Sequence, residues 1–158
     1  MRPQPGLQGE RRFDNPGPES GAKSTLTGLS PDAKSGAKVL VIDDSNTIRR
    51  SAEIFLRQGG HQVLLAEDGF DALSKVNDHA PELIFCDILM PRLDGYQTCA
   101  IIKRNPRFAH VPVIMLSSKD GLFDKARGRM VGSDDYLTKP FTKEQLLRAV
   151  DAFRPATS

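Results

Sequence analysis

Apolar residues in this chain gather in five short runs, each followed by a stretch of helical periodicity. The first run, Val39 to Ile42, ends on Asp43 and Asp44. Ser45 stands where an N-cap is needed, and Ile48, Ala52 and Phe55 recur at helical spacing until Gly59-Gly60 stops the helix. Gln62 to Ala66 is the second run. Glu67-Asp68-Gly69 then turns into a helix carrying Ala72, Leu73 and Val76, which ends before Pro81. The third run, Leu83 to Cys86, ends on Asp87. A loop with Pro91 and Gly95 leads into a helix from Tyr96 to about Arg104, which buries Cys99 and Ile102 and stops at Asn105-Pro106. Val113 to Leu116 is the fourth run, with Ser117 and Ser118 behind it. A helix from about Leu122 to Met130 is weakened by Gly121 and Gly128. Tyr136 to Thr138 forms the last, short strand and runs into Lys139-Pro140-Phe141. Thr142 with Gln145 makes a capping box, and Leu146, Ala149, Val150 and Phe153 form the stripe of the final helix.

Strand and helix thus alternate five times. Runs that are apolar throughout belong to strands buried on both faces, which is the condition of a parallel sheet covered by helices. The fold class is therefore α/β. Right-handed crossovers leave few topologies, and the flavodoxin-like order 2-1-3-4-5 is the one expected for this (βα)5 chain. Residues 1–37 are different. They are rich in Pro, Gly and Ser with few large apolar residues, and read as a disordered N-terminal extension, either a flexible tether or the product of an upstream start codon. The expected organisation is 1–37 extension, 38–154 domain and 155–158 C-terminal tail.

Composition narrows the class further. A net charge of +2 over 158 residues, with both signs interspersed, calls for neither nucleic acid nor an anionic membrane. No apolar run reaches the roughly 18–20 residues that span a bilayer, and no secretory h-region follows Arg11 and Arg12. Cys86 and Cys99 lack metal-ligand spacing and read as small buried hydrophobes in a reducing cytoplasm. His61, His79 and His110 are expected at the surface or in loops, with no ligand role.

In a parallel sheet of this kind the carboxyl ends of the strands share one rim, and ligands bind there. Strand 1 delivers Asp43 and Asp44, strand 3 Asp87, strand 4 Ser117 and strand 5 Lys139. Three carboxylates against one ammonium leave an excess of about two negative charges, which must be compensated for all to stay ionised. A hard divalent cation supplies that, and carboxylates without nearby His or Cys favour Mg²⁺ over zinc. Asp43 and Asp44 can hold the metal from one side, which leaves Asp87 as a carboxylate nucleophile able to form an aspartyl phosphate. Lys139 and Ser117 would help to neutralise the phosphoryl oxygens. The Lys139–Pro140 bond is predicted cis, so that the ammonium reaches back over the strand end.

The segments DDS at Asp43–Ser45, FCDILMPRLDG around Asp87, the hydroxyl at Ser117 and KPF at Lys139–Phe141 resemble the receiver domain of two-component response regulators, over roughly Lys38 to Phe153. The resemblance implies that Asp87 takes a phosphoryl group from a chemotaxis-type histidine kinase. It implies that Asp43 and Asp44 organise Mg²⁺ together with Asp87 and the backbone carbonyl of Leu89. It makes Ser117 and Tyr136 the switch pair, whose movement reshapes the face of helix 4, strand 5 and helix 5. The runs MPRLDGYQTC and MLSSKDGLFDKARGRMVGSDDYLTKPF are similar to regulators of the chemosensory systems that control type IV pili and twitching motility, which implies a downstream pilus-regulatory protein as partner. Two features depart from the family. Asn46 stands where a lysine is expected, and Leu89 and Lys119 follow Asp87 and Ser117 by two residues. An apolar Leu89 cannot orient an attacking water, which leaves slow autodephosphorylation open.

The expected function is a monomeric, stand-alone phospho-switch rather than an enzyme; the five residues after Phe153 are too few for a helix-turn-helix or a catalytic domain, which counts against a DNA-binding regulator. A receiver of another chemotaxis-like pathway, for flagellar motor control or as a phosphate sink, is the nearest alternative. An aspartyl-phosphate phosphatase of the haloacid-dehalogenase type would need an Asp at position 89, where Leu89 stands. Flavodoxin-like cofactor binding would need a Ser/Thr/Gly-rich loop where Asp43-Asp44-Ser45 is acidic.

Overall fold

The computed structural model describes residues 36–118 and 124–153. The expectations placed on residues 1–35, on Lys119, on Gly121 and Leu122, and on 155–158 lie outside the described residues. The described chain runs β1 (Lys38–Ile42), α1 (Asn46–Gln58), β2 (Gln62–Ala66), α2 (Gly69–His79), β3 (Leu83–Asp87), α3 (Gly95–Arg104), β4 (Val113–Ser117), α4 (Lys125–Val131), β5 (Asp135–Thr138) and α5 (Lys143–Phe153). Every strand pairs in parallel, in the order β2-β1-β3-β4-β5. This is the expected 2-1-3-4-5 sheet.

Alternation along each strand sorts the core into two layers. Leu40, Ile42, Ile84, Cys86 and Met115 pack with Ala72 and Val76 of α2 and with Cys99 and Ile102 of α3. Their chain neighbours Val39, Val41, Phe85, Ile114 and Leu116 pack on the other face with Ala52 and Leu56 of α1 and with Leu146 and Val150 of α5. Side chains of successive strand residues point to opposite faces, so each four-residue apolar run feeds both layers. Both cysteines are buried, and burial pushes the Cys86 thiol well up and that of Cys99 to about 11. Among the described residues no helix is long and apolar enough to cross a membrane.

Helix ends follow the expected chemistry. The Ser45 hydroxyl accepts from the Ile48 amide at 3.3 Å. The Thr142–Gln145 capping box closes reciprocally, at 3.1 and 2.9 Å. A second capping box, between Asp94 and Gln97, opens α3 one residue earlier than its apolar pattern indicates. The described part of α4 begins at Lys125, with Asp124 as N-cap and Gly132 as a left-handed C-cap. The Lys139–Pro140 bond is cis.

One expectation is corrected. His61 is buried, not at the surface. The amide that opens the strand region needs an acceptor, and the Ala37 N–H donates to His61 Nδ1 at 2.9 Å while Gln62 N–H donates to the Ala37 carbonyl. The imidazole therefore seals the edge where β1 meets β2. His79 and His110 are exposed, as expected.

Candidate functional site

The parallel register brings the candidate residues to one rim. Ile42 pairs with Cys86 and Asp87 with Leu116, so Asp43 and Asp87 leave neighbouring strands at the same height. Ser117 pairs with Thr138, and the Lys139 amide donates to the Ser117 carbonyl at 2.7 Å. From there Lys139 extends past β4. Its ammonium donates to Asp87 Oδ1 at 3.0 Å and to Asp43 Oδ2 at 3.1 Å.

Asp43 is fully buried and Asp87 nearly so, while Asp44 is exposed. One carboxylate oxygen from each lies within 4.8 Å of the other two. A buried carboxylate is costly unless its lone pairs are met. Asp43 meets them with the Ser45 amide, at 2.8 Å, and with Lys139. Asp87 is met less fully. Burial and the charge of Asp43 push its carboxyl up to about 6, against the pull of the Lys139 ammonium. Burial draws Lys139 down, but its bonds to Asp87 and the charge of Asp43 outweigh that and hold the ammonium above its ordinary value. One ammonium does not balance three acids. Three clustered hard oxygen donors with uncompensated charge fit a hard divalent cation.

The loop that follows Asp87 is shaped by one glycine. The Gly95 amide donates to the Ile88 carbonyl at 2.8 Å. A Cβ at this position would stand 2.2 Å from the carbonyl oxygen of Asp87. Only glycine lets the loop close over the strand end. Leu89 lies in this loop with its side chain 68% exposed.

Ser117 is buried and its hydroxyl donates to the Ser118 carbonyl at 3.3 Å. Tyr136 pairs in register with Met115, two residues before Ser117, so Ser117 and Tyr136 lie on the same face of the sheet. The Tyr136 ring is half-buried, with the Lys125 ammonium 5.7 Å from its centroid.

Two groups beside the rim were not singled out from sequence. Arg49 donates to the backbone carbonyl of Asp43 at 2.5 Å and to the Asn46 side chain at 3.1 Å. Where the family pattern calls for a lysine, Asn46 thus engages a cation from the next turn. The i, i+3 spacing of Asn46 and Arg49 on a helix beginning at an acidic strand end is a signal that could have marked it. Tyr96 is buried, its hydroxyl accepts from the Asp124 amide at 2.9 Å, and Arg127 stacks 4.4 Å from its ring centroid. No sequence signal gives that contact, because it joins residues 28 apart.

The geometry has many counterparts. The chain is 66% identical to Protein PilG of Pseudomonas aeruginosa over 121 residues, covering 77% of this chain and 90% of PilG. It is 37% identical to Protein PilH of the same organism over 116 residues, covering 73% of this chain and 96% of PilH. Among solved structures, the chemotaxis protein CheY4 of Vibrio cholerae superposes with a TM-score of 0.71 at 31% identity, over 75% of this chain and 99% of CheY4. The pattern of the response regulator receiver domain runs from residue 39 to 151, from the first strand of the sheet into its last helix. A five-stranded parallel sheet with three acids and a lysine on one rim, matched along that span, places this chain in the response regulator receiver domain family.

Proposed function

We propose that this protein is a stand-alone phospho-accepting switch in which Asp87 receives a phosphoryl group from a chemotaxis-type histidine kinase. Receiver domains are signalling domains. The finer reading is carried by Lys139, whose ammonium bridges Asp87 and Asp43 at 3.0 and 3.1 Å within the three-acid cluster. In the proposed step an Asp87 carboxylate oxygen attacks phosphorus. The phosphorus–nitrogen bond to the donor imidazole breaks, and its electron pair stays on nitrogen. Lys139 is placed to neutralise one phosphoryl oxygen and Ser117 to donate to another. Asp43 and Asp44, with Asp87 and the carbonyl of Leu89, are the groups proposed to hold Mg²⁺. When bound, that ion supplies neutralising charge to the acids and to the incoming oxygens.

The proposed readout is a rearrangement of Ser117 and Tyr136 that alters the surface of α4, β5 and α5, where a downstream pilus-regulatory protein would bind. The pathway is proposed to be the control of type IV pili and twitching motility. The 66% identity to PilG, against 31% to the chemotaxis protein CheY4, supports this over another chemotaxis-like pathway. Purified protein incubated with acetyl phosphate and Mg²⁺ tests the chemistry. A stable one-to-one adduct, lost in Asp87→Asn, is the expected result. Continuous release of inorganic phosphate at many turnovers per chain would instead indicate a phosphatase.

A further inference from the structure

A groove of about 400 Å³ lies between the carboxyl-terminal ends of α3 and α4. It is built well away from Asp87. Lys103 on its floor donates to the Val111 carbonyl at 2.6 Å and to Asp134 at 3.1 Å. Asp134 in turn accepts from the amide of Val113, the first residue of β4, at 2.8 Å. Ser117 ends that strand, so the groove stands at the opposite edge of the sheet from the acidic rim, roughly four strand residues or about 13 Å away.

The groove walls have an unusual make-up. Arg104 and Arg129 are exposed, and no carboxylate lines the groove among the described residues. The Lys103 ammonium is already bonded, so these two guanidinium groups are the cations available to a ligand. Met130 also lines the groove and is 85% exposed. Ile101, 41% exposed, sits one turn from Arg104 on the same helix face. The helix dipole accounts for cations in the last turns of α3 and α4. It does not account for a methionine standing in water between them. Methionine is flexible and polarisable, and suits surfaces that adapt to a partner.

We propose that this groove docks a short acidic segment of a partner protein. One apolar side chain of the segment packs on Met130, and its carboxylates pair with Arg104 and Arg129. The floor is anchored through Lys103 and Asp134 rather than through the acidic rim, and the last turn of α4, which carries Arg129 and Met130, stays on that floor while the rest of the switched face rearranges, so docking is the same for the phosphorylated and unphosphorylated chain. The groove is thus a constitutive tether at the edge of the switched face that the proposed function describes. Arg129 also borders the depression along α4 and β5, so the two faces adjoin without coinciding.

The test is amide chemical-shift mapping on the full chain with a synthetic amphipathic peptide of Glu and Leu, its Lys and Leu counterpart, and a single-stranded oligonucleotide. The acidic peptide is expected to shift Arg104, Met130 and Gly132, with an affinity that falls at least about tenfold in Arg104→Glu/Arg129→Glu. Those side chains are exposed, so unchanged shifts at the acidic rim will show that the variant folds. Met130→Ser should weaken binding without changing its salt dependence. A beryllium fluoride arm follows, and affinity there should stay within about twofold. The first arm does not involve Asp87, so its outcome is independent of the phospho-acceptor reading. Shifts equal for the lysine peptide, tighter binding of the oligonucleotide, or self-association that the double variant abolishes would each overturn the proposal. So would a tenfold change in affinity with beryllium fluoride in a protein whose rim signals respond to it.

Discussion

Replacing Asp87 by asparagine should stabilise the chain in a pH-dependent way. The carboxyl titrates at about 6 in the folded protein against an ordinary value of 3.8, raised first by burial and then by the charge of Asp43. The difference is about two pH units, and each unit corresponds to about 1.4 kcal/mol. Between pH 4 and 6 the folded chain holds more protons than the unfolded chain, so wild-type stability falls as pH rises through that window. The total loss is about 3 kcal/mol, complete above pH 6. Asparagine carries no charge at any of these pH values. Lys139 still keeps Asp43 as partner, at 3.1 Å.

The variant should therefore match the wild type near pH 4 and exceed it by about 3 kcal/mol at pH 7.5, which is roughly 10 °C in melting temperature for a domain of this size. The assay is thermal unfolding of both proteins from pH 4 to 7.5 in the presence of a chelator. Adding Mg²⁺ at about 100 times its Kd should return about 2.7 kcal/mol to the wild type and less to the variant. A difference that is flat across pH would refute the reasoning, because it would mean that Asp87 does not bear the uncompensated charge of the cluster.

Three further outcomes follow from the same geometry. Asp44→Ala should weaken Mg²⁺ binding at least about tenfold with little effect on folding, since its carboxylate is exposed; unchanged calorimetric metal titration would remove it from the ligand set. Gly95→Ala puts a methyl 2.2 Å from the Asp87 carbonyl oxygen, and should cost roughly 3 kcal/mol in urea unfolding, with the loop after Asp87 displaced. Ser117→Ala should still accept phosphate at Asp87 but lose most of the difference in partner affinity between the two states, a coupling of typically about 1–3 kcal/mol; calorimetry with and without beryllium fluoride reads it, and equal discrimination by both proteins would route the switch elsewhere.

Much of this architecture is legible in the sequence because its main signal is local. A run such as Val39–Ile42 is apolar at every position and feeds both core layers, which only a covered parallel sheet permits. The rim follows from the sheet, since strands that end on Asp43, Asp87, Ser117 and Lys139 must present those residues together. Boundaries shift where backbone pairing and side-chain pattern disagree. Lys38 and Asp135 carry charged side chains, yet their backbones join the sheet. His61 is different in kind. Its burial answers an amide at Ala37, 24 residues away, and nothing beside it in the chain announces that. The Tyr96–Asp124 bond is hidden for the same reason. Charge balance falls between these cases. The excess of acid is countable from sequence, but whether Asp43 or Asp87 bears it depends on the Ser45 amide and on how the Lys139 ammonium is shared.

That sharing ties the rim to the rest of the sheet. Lys139 is anchored by its amide on the Ser117 carbonyl and by its ammonium on Asp87, so the residue spans β4. Any anion joined to Asp87 adds charge where two acids already compete for one cation, and the ammonium responds to that charge. A phosphoryl group brings about −1.5 to −2 charges and new acceptor oxygens. The Ser117 hydroxyl donates to the Ser118 carbonyl at 3.3 Å, and in the proposed switch it turns to the stronger, charged acceptor. In that proposal the movement is felt on the face of the sheet that also carries Tyr136, whose ring is half-buried. Burial and the neighbouring charge of Asp43, which lift the Asp87 carboxyl to about 6, are the conditions on which the proposed switch draws. In the proposed switch a rim balanced by a second lysine would be more stable and would transmit less.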